Sequence, residues 1–214
     1  MSRAEAVVGA VMIVFFIVGF AGHRMRRTEA LMLRLTPAFL VVFGLVALLP
    51  VLWEAGLPLL AWALAVLVLT FLLEAIGTAT GRIFGPYTYG KTLGPRLLAV
   101  PVVIAFNWLM VILGALSLAQ RLVAWPVLAA LVGALLAAGF DVLLEPTAVR
   151  LDYWSWQAPA IPVRNYVAWF LIALAAALPF SLLGLGVSTR LPAIYFLVQL
   201  VYFAALRILP PPAL

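Results

Sequence analysis

Apolar residues fill this chain in long runs, and two polar stretches interrupt them, Leu72 to Trp108 and Asp141 to Trp169. At about 20 residues per membrane crossing, the runs predict seven helices, near 4–22, 36–53, 58–76, 98–119, 123–144, 165–186 and 191–208. Only Glu54 to Leu57 separate the second from the third, which predicts a tight hairpin. Gly184, Gly186 and Pro192 predict a second short turn, Pro146 a helix end, and Pro210-Pro211-Pro212 the end of the last helix. The first run is followed rather than preceded by most of its arginines, so it reads as a retained span and not a cleaved leader. No internal repeat of useful strength stands out. The expectation is an all-α, polytopic membrane helix bundle forming one domain over 1–214, with its motifs between 70 and 172.

Composition agrees. The chain is 67% hydrophobic and 9% charged, with mean hydropathy +1.24, which excludes an ordinary soluble domain. Cysteine is absent and His23 is the single histidine, so thiol chemistry and a multi-histidine metal site are excluded. The net charge of +6 reflects span ends, not a nucleic-acid surface. With the N-terminus outside, Arg24, Arg26, Arg27, Arg34, Arg82, Lys91, Arg96, Arg150, Arg164 and Arg207 fall inside, against Arg3, Arg121 and Arg190 outside. Ten against three satisfies the positive-inside rule. It places both polar stretches and the C-terminus in the cytoplasm, for a multi-pass protein of the plasma membrane.

Within those stretches Glu74, Asp141 and Glu145 need explaining, because an ionisable group in an apolar span is expensive and is by default functional. Asp141 and Glu145 stand at i and i+4, so they share a helix face, with Ala134, Ala137 and Ala138 above them. Gly77, Thr78 and Gly81 share the face of Glu74. The bland alternatives are ion pairs of Glu74 with Arg82, and of Asp141 and Glu145 with Arg150 or Arg164. Aromatic residues cluster beside the carboxyls: Phe84, Tyr87 and Tyr89 in one loop, Tyr153, Trp154 and Trp156 in the other. Trp154 and Trp156 read first as an interfacial belt. Asn107 with Trp108, Asn165 with Trp169, and the stripe Tyr195, Gln199 and Tyr202 add polar groups on three more helices. One intramembrane pocket opening toward the cytoplasm is the economical reading.

Such a pocket has carboxyls, aromatics and amides, and no nucleophilic cysteine, phosphate loop or dinucleotide fingerprint. Acid–base chemistry on an apolar substrate fits it. A carboxyl held neutral by an apolar wall protonates a double bond, aromatic faces stabilise the cation, and a second carboxylate deprotonates an attacking water. Transport, simple binding of a large apolar ligand, and prenyl transfer through paired magnesium sites are the competing classes.

The residues also carry a resemblance. The run Glu74-Ala-Ile-Gly77-Thr-Ala-Thr-Gly81-Arg-Ile-Phe84-Gly85-Pro-Tyr87-Thr-Tyr89, then Leu93-Gly94-Pro95, Val100-Pro101 and Trp108, resembles the signature of the carotenoid-biosynthesis membrane proteins. That family includes the C1′,2′ hydratases of lycopene and γ-carotene and the bisanhydrobacterioruberin hydratases. Asp141-Val-Leu-Leu-Glu145-Pro146, Trp154-Ser-Trp156 and Ile161-Pro162-Val-Arg-Asn165-Tyr-Val-Ala-Trp169-Phe170 resemble its second block. Arg164 stands where the family pattern has a small polar residue. The resemblance implies cofactor-independent addition of water to the terminal double bond of an acyclic carotenoid end. It implies catalytic roles for Glu74, Asp141 and Glu145, with either Asp141 or Glu145 as the acid. It implies substrate contacts from Thr78, Phe84, Tyr87, Tyr89, Asn107, Trp108, Asn165, Trp169 and Gln199. The expected partners are the apolar carotenoid and membrane lipid, with no metal; oligomeric state is not legible.

Overall fold

A computed structural model describes residues 2–209; the Pro210-Pro211-Pro212 tail lies outside the described residues. The elements are α1 (Arg3–Arg24), α2 (Arg26–Thr80), β1 (Tyr87–Tyr89), β2 (Arg96–Leu97), β3 (Val100–Pro101), α3 (Val102–Leu122), α4 (Pro126–Arg150), β4 (Trp154–Trp156), α5 (Val163–Leu182) and α6 (Leu191–Ile208). All six helices are long and apolar enough to cross a membrane. In lipid a backbone must satisfy its own hydrogen bonds, which is why the apolar runs become helices.

The hydropathy pattern predicts seven helices where the described residues form six, and the difference lies in α2. Its 55 residues begin at Arg26, ten before the expected start, and absorb the expected second and third helices. A straight helix of this length would reach about 80 Å. Instead Gly56 adopts φ 65°, ψ −148°, which only glycine takes without strain, and breaks it in two. Contacts show that the chain doubles back there. Thr36 and Pro37, in the first half, meet Tyr153 and Gly94. Gly81, just past the second half, packs on Pro86 in the same loop layer. Glu54, beside the break, hydrogen-bonds Ser188 at the opposite end of the bundle.

Two further boundaries differ from expectation. Pro146 does not end α4, which runs on to Arg150. A proline leaves the carbonyl four residues earlier without its helical donor; here that carbonyl, Val142, accepts a hydrogen bond from Arg207 at 3.0 Å. Helix α5 stops at Leu182, short of 186, with Gly184 at φ 67° beyond it.

Helix α3 is the centre of the bundle. Its apolar window is 83% buried, against 17% in α1. It packs on α2, α4 and α6, and Gly114 lets α6 approach so closely that a Cβ there would stand 2.5 Å from Phe196. The two polar stretches fold back together at one end. Strands β1 and β4 pair antiparallel with Tyr87 opposite Trp156, Thr88 opposite Ser155 and Tyr89 opposite Trp154; β2 and β3 form a second small hairpin. These strands are the only departure from an all-helical fold among the described residues.

The β1–β4 layer depends on Gly90, whose N–H donates to Tyr153 O at 2.8 Å and whose Cβ, if present, would lie 1.9 Å from Asp152 O. Gly139 faces open space. Gly90→Ala should therefore lower the thermal midpoint in detergent by several degrees, on the order of 1–3 kcal/mol. Gly139→Ala should leave it nearly unchanged.

Candidate active site

Four helices converge about two helical turns in from the sheet end. Glu74 lies six residues before the end of α2, roughly 9 Å along the helix. Asp141 and Glu145 come from α4, Asn107 and Trp108 from α3, Asn165 and Trp169 from α5. The β1–β4 pair closes the end. Side chains two apart on a strand share a face. Tyr87 and Tyr89 therefore point inward with Trp154 and Trp156, while Thr88 and Ser155 meet on the outer face, their hydroxyls 3.2 Å apart.

The carboxyls are almost fully buried: Glu74 is 3% exposed, Asp141 1% and Glu145 3%. Without partners each would cost several kcal/mol. Each is met by uncharged donors. The Tyr87 hydroxyl donates to Glu74 Oε2. The indole N–H groups of Trp154 and Trp156 both donate to Glu145 Oε2 at 2.9 Å. The amide of Asn165 spans the pair on α4, donating to Asp141 Oδ2 at 2.7 Å and to Glu145 Oε1 at 3.3 Å. The ion pairs with Arg82, Arg150 and Arg164 are not formed, and no arginine or lysine reaches these carboxyls among the described residues. Burial, and then the neighbouring Glu74 carboxyl, push the Tyr87 phenol far above its ordinary range, so it keeps its proton.

Between these groups lies a cavity of about 20 Å³, room for a single water. Glu74, Asp141, Glu145, Tyr87, Tyr89, Asn107, Asn165 and four tryptophans line it with Ile104 and Leu144. Asn107 Oδ1 is buried without a protein partner, an acceptor that a water in the cavity would satisfy. Trp108 and Trp169 stack with ring centroids 3.4 Å apart and planes at 14°. Phe84 stacks on Trp169 as well, at 5.1 Å and 16°. Among the described residues no trio of His, Cys, Asp or Glu side chains is arranged to hold a metal ion.

Nine of the twelve residues singled out from the sequence thus line one cavity. The other three stand elsewhere. Thr78 turns its hydroxyl back to the carbonyls of Glu74 and Ala75. Phe84 is buried behind Trp169, in space that Gly77 leaves open. Gln199 is fully buried on α6, away from the cavity lining, with neither amide atom paired. Trp154 and Trp156, read first as an interfacial belt, are instead donors to Glu145. The signal was the Trp-x-Trp spacing, which puts both indoles on one strand face.

Comparison with known proteins gives the family. Residues 35–208 match the family model described as carotenoid biosynthesis protein. The chain belongs to this family. It is 32% identical over 139 residues to the bisanhydrobacterioruberin hydratase of Haloarcula japonica, a match that spans 60% of this chain and 45% of that protein. No solved structure matches the chain. Membership makes this a carotenoid-biosynthesis membrane protein, and its carboxyl-lined cavity lies wholly within the matched region.

Asn165 alone bridges two buried carboxyls. Replacing it with Leu strips both of a donor, and should cost on the order of 2–4 kcal/mol of stability. Asn165→Leu should show this as a fall in thermal midpoint larger than that of Asn107→Leu.

Proposed function

We propose that the protein is a carotenoid hydratase that adds water across the terminal C1′–C2′ double bond of an acyclic carotenoid end, giving a tertiary alcohol. The observation that carries this reading is the cavity: space for one water, walled by three carboxyls and a stacked indole pair. Family membership and the hydratase relative support it.

The hydrogen bonds favour one division of labour. Glu145 accepts from three N–H donors and Asp141 from one. Two carboxyls that share one amide do not both carry charge in an apolar site. The donor-rich Glu145 is the anion, and Asp141 holds the proton. Asp141 protonates C2′, which leaves a tertiary cation at C1′. Trp108 and Glu145 stabilise that cation. Glu74 orients the cavity water and takes its proton as the water oxygen bonds to C1′. Asp141 gives one proton and Glu74 gains one, so the sum is the addition of one water, with no cofactor required.

The reacting end has to displace aromatic side chains to reach the carboxyls, because the closed cavity holds no more than a water. The same reading includes seven crossings, with α2 contributing two on either side of Gly56, the sheet end in the cytoplasm, and residence in the plasma membrane. The substrate class is an acyclic end such as that of lycopene or γ-carotene.

Expression in bacteria that accumulate lycopene tests the reading. The wild type should yield a more polar pigment heavier by one water. Asp141→Asn should yield none at normal protein level, and Trp108→Leu should lower turnover about tenfold or more without lowering protein. A pigment that copurifies with unchanged mass, whichever acyclic carotenoid is supplied, would make this a binding protein instead.

A further inference from the structure

The site is built from the same hairpin twice. Glu74 and Asp141 are 67 residues apart, and so are Tyr87-Thr88-Tyr89 and Trp154-Ser155-Trp156. Ala99-Val100-Pro101-Val102, with Trp108 six residues beyond Val102, recurs as Ala160-Ile161-Pro162-Val163, with Trp169 six beyond Val163. The sequence pattern alone shows no repeat because the matches are sparse and the second copy is shorter by six residues between strand and helix. The backbone agrees where the two segments enter their second helices. Helix α3 starts from Pro101 at φ −63°, ψ 127°, and α5 from Pro162 at φ −65°, ψ 134°. Strands β1 and β4 pair about Thr88 and Ser155, each strand's first residue facing the other's last, which is the pairing a local two-fold axis gives. The equivalent tryptophans, Trp108 and Trp169, stand face to face. The equivalent carboxyls, Glu74 and Asp141, line one cavity.

Equivalent positions make the differences informative. The equivalent strand residues differ in chemistry: in the second copy they are two indoles, which donate to Glu145, one turn beyond Asp141; in the first they are two phenols, of which Tyr87 donates to Glu74. An indole N–H only donates, whereas a phenol accepts and donates at one oxygen. The first copy thus keeps a group able to pass a proton, and the second keeps groups able only to hold an anion still. Tyr87 lines the cavity while donating to Glu74 Oε2, with the Tyr89 hydroxyl 3.5 Å away.

We propose that Tyr87 is a proton-carrying catalytic residue that works with Glu74. As the cavity water bonds to C1′, its proton passes to the Tyr87 oxygen while the Tyr87 proton passes to Glu74 Oε2. Tyr87 ends the step as it began, and Glu74 carries the proton. The reverse relay, through Tyr87 and the next water, returns that proton to Asp141, which gave its own to C2′. No proton is gained or lost over the cycle.

This rests on the hydratase reading, and purified protein in detergent with lycopene separates the two. If the wild type forms no hydrated pigment from lycopene, γ-carotene or an elongated C50 acyclic carotenoid, that reading fails and the relay with it. If it does, Tyr87→Phe should lower turnover at least a hundredfold, with a thermal midpoint near that of wild type. Tyr87→Trp, which copies the donor of the second hairpin, should not restore it. A fluorinated tyrosine at position 87 keeps the shape and makes the phenol more acidic. It should shift the pH–rate profile, which a merely structural role would not do. Turnover within a few-fold of wild type in Tyr87→Phe or Tyr87→Trp, or an unmoved profile with fluorotyrosine, would overturn the relay while leaving the hydratase reading intact.

Discussion

Three carboxyl groups buried in an apolar bundle need donors; a six-residue sheet supplies those of Glu74 and most of those of Glu145, and Asn165 on α5 supplies that of Asp141. Unmet, each carboxyl would cost several kcal/mol, more than most single contacts contribute. The β1–β4 pairing meets Glu74 with a phenol and Glu145 with two indoles. Glycines at 85 and 90 permit the close approaches that the pairing requires: a Cβ at Gly85 would stand 2.8 Å from Pro162, and one at Gly90 closer still to Asp152. Uncharged donors matter here. An arginine in their place would neutralise a carboxyl and remove it from proton transfer, whereas phenol, indole and amide groups hold the carboxyls in place and leave their protons free to move.

The cavity itself is small. The proposed carbocation would require bulk water to be kept out and one molecule of it admitted. Trp108, Trp169 and Phe84 form three nearly parallel layers beside the carboxyls, suited to that task, and α3, the most buried helix, anchors the first of them. The lipid-facing helices contribute less chemistry. Helix α1 carries no lining residue, and Gln199 on α6 lies apart from the cavity. The catalytic proposal therefore concerns the two like hairpins, with the remaining helices as their support.

Much of this was legible in the sequence, for a physical reason. Charged and amide groups are so rare in a chain with 9% charged residues that their spacing alone located Asp141 and Glu145 on one helix face, and Asn107, Trp108, Asn165 and Trp169 within two others. Partner identity was less legible. Arg82, Arg150 and Arg164 are the nearest cations in sequence, yet the donors are uncharged: Tyr87 for Glu74, Trp154 and Trp156 for Glu145, and Asn165 for both carboxyls on α4. Thr78 shares the helical face of Glu74, but a threonine in a helix often satisfies its own helix's carbonyls, as it does here. Gln199 is polar at the right depth on α6, and depth does not determine which neighbour a side chain faces. The end of α4 was misplaced because Arg207, distant in sequence, supplies the donor that Pro146 removes.

The most direct test of the account is the origin of the atoms added. Purified protein in detergent would be given lycopene in water enriched in both heavy oxygen and deuterium, and the pigment analysed by mass spectrometry. Proton delivery by one carboxyl and water delivery by another should give a product carrying one solvent oxygen and one non-exchangeable solvent deuterium, the latter on the carbon next to the new alcohol. A product that gains oxygen without hydrogen from solvent, or hydrogen without oxygen, would contradict a site in which one carboxyl protonates the double bond and another delivers the water.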